Sequence, residues 1–446
     1  MRYRFALLLY VSLQTDFSFS QNVNVTLRST MTFPGQQLAN IWGYSAGGNE
    51  YALVGAAQGM IIVNVTDPDN PVQIVQIPGP TSSWREIKTY SHYAYVVSVG
   101  GGAIQVVDLN NLPSSSLPYH SVTGCVGITK AHALHVDETK GYLYVYGSNL
   151  NSGKPLVYNL NADPYNPVYV NFVNFVGYAH DGYVDNDMLY SAHIFAGQMA
   201  IVNMANKANP VLLGTVTTTN AFTHNTWKTG TTVLTTDEVS NSYLTAYNVS
   251  NPANISVLDK IQITPGSGSI VHNTHIINNY AVTSWYKDGF AIIDVDRPSN
   301  LVMVGRYDTY PNSAGGGFEG CWGVYPYFPS GTIVASNNKA YGTSNGEMLV
   351  LTPTYVRGCY EEGIDTNASN GLPLNGAKVE LLGTATTENT TALGVYKMGQ
   401  VDDGSFTCRV SKSGFVTQDH IVNLDNGVLT TLNVALQPSS PLPVEW

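Results

Sequence analysis

One phrase recurs along the chain and restricts its fold more than any other feature. GMIIVNVTDPDNPVQIVQ from Gly59, PLVYNLNADPYNPVYVNFV from Pro155, QMAIVNMANKANPVLLGTV from Gln198, YLTAYNVSNPANISVLDKI from Tyr243 and FAIIDVDRPSNLVMVGRY from Phe290 are variants of one pattern, and AIQVVDLNNLP from Ala103 is a degenerate copy. Each reads as an apolar strand, a polar Asn/Asp/Pro turn and a second strand. Asp and Asn close such turns through their own side chains, and Pro supplies a fixed φ where no ladder donor is needed. Two more strands precede each phrase, as in HNTHII and YAVTSW, which lead into the turn YKDG at Tyr286. The repeating unit therefore holds four short strands. Seven units begin near Ala39, Ser83, His132, His180, His224, His272 and Glu319, the last five spaced 44 to 48 residues apart. Four strands at that period predict an all-β, seven-bladed β-propeller. An array of β-sandwiches is the alternative, but each module would need about twice the length.

Closure of the ring is legible too. The seventh unit runs GCWGVYPYF, TIVASNN and EMLVLTP and then leaves the pattern, one strand short. The segment NVTLRSTMTFPG from Asn24 resembles the outer strand of the first unit, so residues 24–33 are expected to complete the last blade and hide its edge. This places the propeller within residues 21–355.

Composition agrees with a β-rich chain. Of 446 residues, 43% are apolar and only 11% charged, with 29 Tyr and 42 Gly, and no stretch sustains a 3.6-residue apolar period. The net charge of −11 comes without a basic cluster, which argues against nucleic acid and anionic membranes as partners. Residues 1–20 read as a secretory signal peptide: Arg2 and Arg4, then the apolar run Phe5 to Leu13, then Ser18 and Ser20 before Gln21. No later segment is long and apolar enough to span a bilayer. The expected product is an exported protein, secreted or at the cell surface. Four cysteines fit that setting. Cys359 and Cys408 share the C-terminal segment and are candidates to pair, whereas Cys125 and Cys321 are read as free.

From about Val356 the texture changes to short alternating strands with the turns NGLPLNGA and KSGF and the strand DDGSFTCRV. Residues 356–437 resemble the carboxypeptidase-regulatory-like module, which implies a small transthyretin-like β-sandwich acting as spacer or adhesion unit. PSSPLPVEW, residues 438–446, is a Pro-rich linker similar to those preceding anchoring tails in Bacteroidetes surface proteins. The repeat phrase itself resembles the LVIVD repeat. THNTW to VLTTDE (Thr223 to Glu238), HNTHIINNYAVTSWYKDGFAIIDV from His272 and EGCWGVYPYFPSGTIVAS from Glu319 resemble the choice-of-anchor B family of exported bacterial proteins. That likeness implies a propeller and a surface location and assigns no activity.

The candidate site comes from aligning the first strand of each unit. The first column reads Ala39, Ser83, His132, His180, His224, His272, Glu319. Three positions later it reads Trp42, Glu86, His135, Tyr183, Trp227, His275, Trp322. In a propeller the innermost strands line the central channel, so His132, His180, His224 and His272 should converge on one mouth with Glu319. Imidazole is a common ligand for Zn, Fe and Cu, and ligating histidines are ordinarily oriented by outer carboxylates. Asp181, Asn225 and Asn273 follow three of the histidines. Glu238 and Asp237 end the second strand of the fifth unit, His193 holds the like place in the fourth, and Glu86 lies in the second column. Glu319, Glu238, Asp181, Asn225, Asn273, Glu86 and His193 are the candidate outer-shell or ligand-binding set. The competing reading is a structural polar ring bonded from blade to blade. The second column is read chiefly as packing between blades, His135 and His275 included.

Two functions follow. The first is an exported propeller that binds an extracellular protein or glycan, with a metal site at the channel mouth. The second is a metal-dependent enzyme, an oxidoreductase or hydrolase, using a four-His axial site similar in ligand set alone to that of carotenoid oxygenases. The chain has no H-E-x-x-H, Walker loop or C-x-x-C.

Overall fold

The computed structural model describes residues 22–439 except 123–126, 314 and 339–344. The signal-peptide segment, Cys125 and the end of the Pro-rich linker lie outside the described residues. Within them, every regular element is a strand except one short 3-10 turn at Asn151–Gly153. Among the described residues, no helix is long and apolar enough to cross a membrane.

Six four-stranded antiparallel meanders and a seventh sheet, three strands in sequence completed by one from the N-terminus, form the blades of a propeller. They cover residues 38–78, 85–122, 133–172, 181–217, 223–261, 274–307 and 320–353. Blade 5 shows how the sequence builds one. Its first strand, Thr223–Thr229, pairs with Thr232–Asp237, then Leu244–Asn248, then Ser256–Ile261. The second strand is buried throughout and the fourth is exposed or half-buried. The gradient follows from position: inner strands are covered by neighbouring blades, outer ones face water.

The turn of the repeated phrase is closed as its residues require. Asp67, Asp163, Asn206 and Asn251 each accept, through the side chain, the backbone N–H two residues on, at 2.9–3.1 Å. A register shift between third and fourth strands recurs in blades 1, 3, 4, 5 and 6. Such bulges add local twist.

Blade 7 is completed by Val25–Pro34, which pairs along Asn345–Pro353. The first strand of blade 7 packs on that of blade 1, so the ring closes, and Asn22–Val23 extends blade 6. After the propeller, eight strands from Cys359–Asn367 to Val434–Leu436 form two sheets packed as a sandwich, with Tyr396, Met398, Val379 and Leu436 in the core.

The sandwich is seated on blade 6. Arg357 reaches the fully buried Asp294 carboxylate at 2.7 Å, and the Gly358 N–H donates to the same group at 2.8 Å. Asn300 Nδ2 donates to the Met398 carbonyl at 3.2 Å, and Lys397 Nζ to the Ser299 carbonyl at 3.1 Å.

The cysteines correct one expectation. Cys359 and Cys408 do not pair; both are buried free thiols, as is Cys321. They belong to strands of different sheets. Asn426 Nδ2 contacts Cys359 Sγ at 3.3 Å, and the Cys408 thiol lies beside Glu361. Sharing a domain does not bring two Cβ atoms to bridging distance.

Candidate metal centre in the channel

The inner strands present their side chains in tiers along the channel. In the first tier the rings of His132 and His180 lie 4.0 Å apart, His180 and His224 4.2 Å, and His224 and His272 4.4 Å. Four consecutive blades therefore place four imidazoles side by side. His180 Nδ1 bonds the His224 carbonyl at 3.3 Å, and His272 Nδ1 bonds the Trp322 carbonyl. Thr236 and Ser284, at matching places in blades 5 and 6, donate to the carbonyls of His272 and Trp322 in the next blades. A neutral imidazole that donates from Nδ1 keeps its Nε2 lone pair free.

That bonding corrects two positions of the column. The residue of blade 7 that receives the His272 and Ser284 bonds is Trp322, three places beyond Glu319. Glu319 instead faces Lys287 at 3.4 Å. In blade 2, counting back from the two-residue turn between Tyr90 and Tyr93 puts Arg85 in the His place, two beyond Ser83. Arg85 donates to the carbonyls of Ala56 and Pro80 at 3.0 and 2.6 Å, and burial pushes its guanidinium down to about 10. The first tier is thus Ala39, Arg85, His132, His180, His224, His272 and Trp322. Neither blade has a histidine to anchor the alignment, and the connections leading into their first strands differ in length.

The next tier is polar. Asp181 accepts from Asn225 Nδ2 at 2.8 Å, Asn225 Oδ1 accepts the Thr274 N–H at 3.2 Å, and Glu86 pairs with Asn40 and Lys88. Burial first, and the Glu86 charge second, push the Asp181 carboxyl up. Glu86 therefore belongs to this tier, with Asp181, Asn225 and Asn273, and not beside the tryptophans. His193 stays within its own blade, between the Ser191 hydroxyl at 2.8 Å and the Tyr178 carbonyl at 3.0 Å.

Glu238 is the carboxylate that reaches the imidazoles. Its oxygens lie 3.6 Å from His224 Nε2 and 3.8 Å from His272 Nε2, and Tyr286 donates its hydroxyl to the same carboxylate. Tyr286 holds a positive φ of 42°, a cost that a non-glycine residue bears only where its surroundings impose it. The donor atoms of His180, His224 and Glu238 all lie within 4.8 Å of one another. Tetrahedral ligands with bonds of about 2.1 Å stand roughly 3.4 Å apart, so closing round an ion needs only small side-chain movements. His272 touches the other side of Glu238, and His132 stands one ring beyond His180.

Burial sets the charge state. It pushes His132 down to about 4 and His272 to about 3, and holds His180 and His224 well below the usual imidazole range, with neighbouring histidines adding to the effect. Burial raises Glu238 to about 7, opposed by the Tyr286 hydrogen bond. Neutral imidazoles beside a carboxylate are the form a metal takes up. Trp84, Trp322 and Asn273 help enclose a cavity of about 40 Å³ at these groups, room for more than one water.

Lower in the channel, Trp42, His135, Tyr183, Trp227, His275 and Tyr325 form an aromatic tier, with Lys88 as the blade 2 member. His135 and His275 pack edge-on against Trp227 at 5.4 and 4.7 Å. Gly43 makes room for this layer: a Cβ there would fall 2.0 Å from the Tyr325 ring.

Fold and tiers define an all-β propeller with a sandwich appended, and two family models agree. Residues 270–309, which are blade 6 with His272 and His275, match the LVIVD repeat. Residues 364–437 match the carboxypeptidase regulatory-like domain. The chain therefore carries an LVIVD repeat within a β-propeller and a carboxypeptidase regulatory-like domain after it. No curated protein matches it. Among solved structures it is similar to the β-propeller domain of Cps50 (Swd1) from Myceliophteria thermophila, at 12% identity and a TM-score of 0.49 over 72% of this chain and 99% of that one.

Proposed function

We propose that this chain is an exported, surface-displayed binding protein for an extracellular protein or glycan, and that it holds a divalent transition metal at His180, His224 and Glu238. The observation that carries the metal is the convergence of these three donors within 4.8 Å in a buried pocket. The Nδ1 bond of His180 to a backbone carbonyl and the Tyr286 bond to Glu238 support it, because metal ligands are ordinarily fixed in this way from outside. Two imidazoles and a carboxylate suit Zn or Fe(II), with Cu the further candidate. The surface location rests on the segment 1–20 and on the likeness to exported choice-of-anchor B proteins.

A metal-dependent enzyme is the second reading. Three protein ligands beside a cavity of about 40 Å³ leave a coordination position for water or substrate.

The test is metal content of protein purified without chelators, as wild type, as the His180→Ala, His224→Ala double variant and as Glu238→Gln. Stoichiometric Zn, Fe or Cu in the wild type, lost in the double variant and reduced in Glu238→Gln, is expected. A metal-free wild type that also fails to take up added Zn(II) or Fe(II) would leave the tier a structural ring.

A further inference from the structure

The far end of the channel holds a second cavity, of about 490 Å³, that shares no lining residue with the histidine pocket. Its volume lies within the range of small-molecule sites. Its floor is closed, because the aromatic tier reaches across the axis. Trp42 of blade 1 meets His275 of blade 6 at 5.8 Å, and Trp227 of blade 5 stacks on Tyr327 of blade 7 at 6.1 Å and 21°. Neither pair joins adjacent blades. The result is a blind cup with aromatic walls from Trp42, Tyr183, Trp227, Tyr325 and Tyr327.

The polar groups of the cup restrict what it can hold. Glu138 and Asp185 stand on its wall, in a chain of net charge −11, so an anion is repelled. The Lys88 ammonium lies 4.3 Å over the Trp42 ring and is paired with Glu86. A cation therefore already occupies an aromatic face in the floor, and a ligand ammonium would meet it. What remains is a neutral ligand with apolar faces and many hydroxyls. Aromatic faces accept the C–H side of such a ring. The carboxylates of Glu138 and Asp185 and the hydroxyls of Thr89 and Thr139 line the same space, and carboxylates make the stronger hydrogen bonds to hydroxyl donors. His135 Nδ1, in a side chain 9% exposed, borders the cup without a hydrogen-bond partner.

We propose that this cup is a binding site for a neutral saccharide, laid on the aromatic surface that Tyr183 and Trp227 form together, their rings 4.8 Å apart, with its hydroxyls on Glu138 and Asp185. The proposal rests on the binding-protein reading and names its ligand class; it is independent of the metal, which belongs to the other pocket.

The experiment titrates the full chain with neutral trisaccharides (cellotriose, xylotriose, mannotriose, galactotriose and tri-N-acetylchitotriose), with choline and with sialic acid, followed by tryptophan fluorescence and calorimetry. Wild type is compared with Glu138→Gln, Asp185→Asn, the double variant that carries both, and Trp227→Phe, and metal content is measured on each. Glu138 is exposed and Asp185 half-buried, so the two isosteric changes leave the core intact. At least one neutral trisaccharide is expected to bind saturably, with affinity lowered about tenfold or more in the double carboxamide variant and metal content unchanged. The proposal is overturned if no trisaccharide binds at millimolar concentration, if choline or sialic acid binds more tightly than every trisaccharide, or if binding survives both the double variant and Trp227→Phe unaltered. A metal-free wild type that takes up no added Zn(II) or Fe(II) but still binds the sugar would overturn the metal reading alone.

Discussion

Asp365 lies on the strand Cys359–Asn367 of the sandwich, with no exposed surface, four residues from the equally buried Glu361. Burial, and secondarily the Glu361 charge, raise its carboxyl from 3.8 to about 6, against the pull of a backbone bond near Val434. A shift of about two units corresponds to roughly 3 kcal/mol. The sandwich is only two sheets thick and water screens part of that, so about 1–2 kcal/mol is expected. The sign follows from proton binding. The folded state holds the proton more tightly than the unfolded chain, so stability is highest below about pH 4, falls as pH rises through 4 to 6, and levels off above. Asp365→Asn, which cannot ionise, should not show this fall. Hydrogen exchange of the amides within 359–436, measured for wild type and variant at pH 4.5, 5.5 and 7, isolates the effect, because the intrinsic pH dependence of exchange cancels in the difference. The stability of Asp365→Asn relative to wild type should increase by about 1 kcal/mol from pH 4.5 to 7, since the unfolded carboxyl is already largely ionised at the lower pH. A difference that is independent of pH, or that shrinks as pH rises, would refute the reasoning.

Three other outcomes are expected. Arg357→Ala should destabilise the propeller–sandwich junction by about 2–4 kcal/mol in urea unfolding, because it strips the cation from the wholly buried Asp294; a loss below about 1 kcal/mol would place that carboxylate's support in the backbone N–H bonds alone. Gly43→Ala should cost about 1–3 kcal/mol by overpacking, since its Cβ would overlap the Tyr325 ring, and an unchanged melting temperature would show that the aromatic tier can give way. Removal of residues 22–34 should expose the edge of Asn345–Pro353 and turn a monodisperse protein into an aggregating one by light scattering; a soluble, unaggregated product would contradict the role of that strand as the closing one.

Much of the fold is legible in the chain because the repeat is written in turn chemistry. Asp67, Asp163, Asn206 and Asn251 close the same turn by the same bond, and that bond needs only neighbours two residues apart. The recurrent bulge before the fourth strand is not legible, since it depends on how two already paired strands twist. The candidate site divides in the same way. His132, His180, His224 and His272 carry their own register because each blade has a histidine to count from. Of the members of the same tier without one, Trp322 is placed by hydrogen bonds from blade 6 and Arg85 by its register with the paired strand. The free thiols of Cys359 and Cys408 belong with them: sheet assignment, not proximity in the chain, decides whether they can meet.

Period and composition by themselves determined that this chain builds four-stranded units, that seven follow one another, and that histidines recur at one position of the inner strand. Both are local facts, set by turn residues and alternation over a few positions. Only the tertiary structure decided that Glu238, just past the second strand of its blade, and not Glu319 stands against those histidines: it reaches His224, 14 residues away, and His272, 34 residues away in the next blade, because the ring sets neighbouring inner strands side by side. It also decided that the aromatic tier closes the channel, since Trp42 and His275 come from blades separated by most of the chain and touch only across the axis.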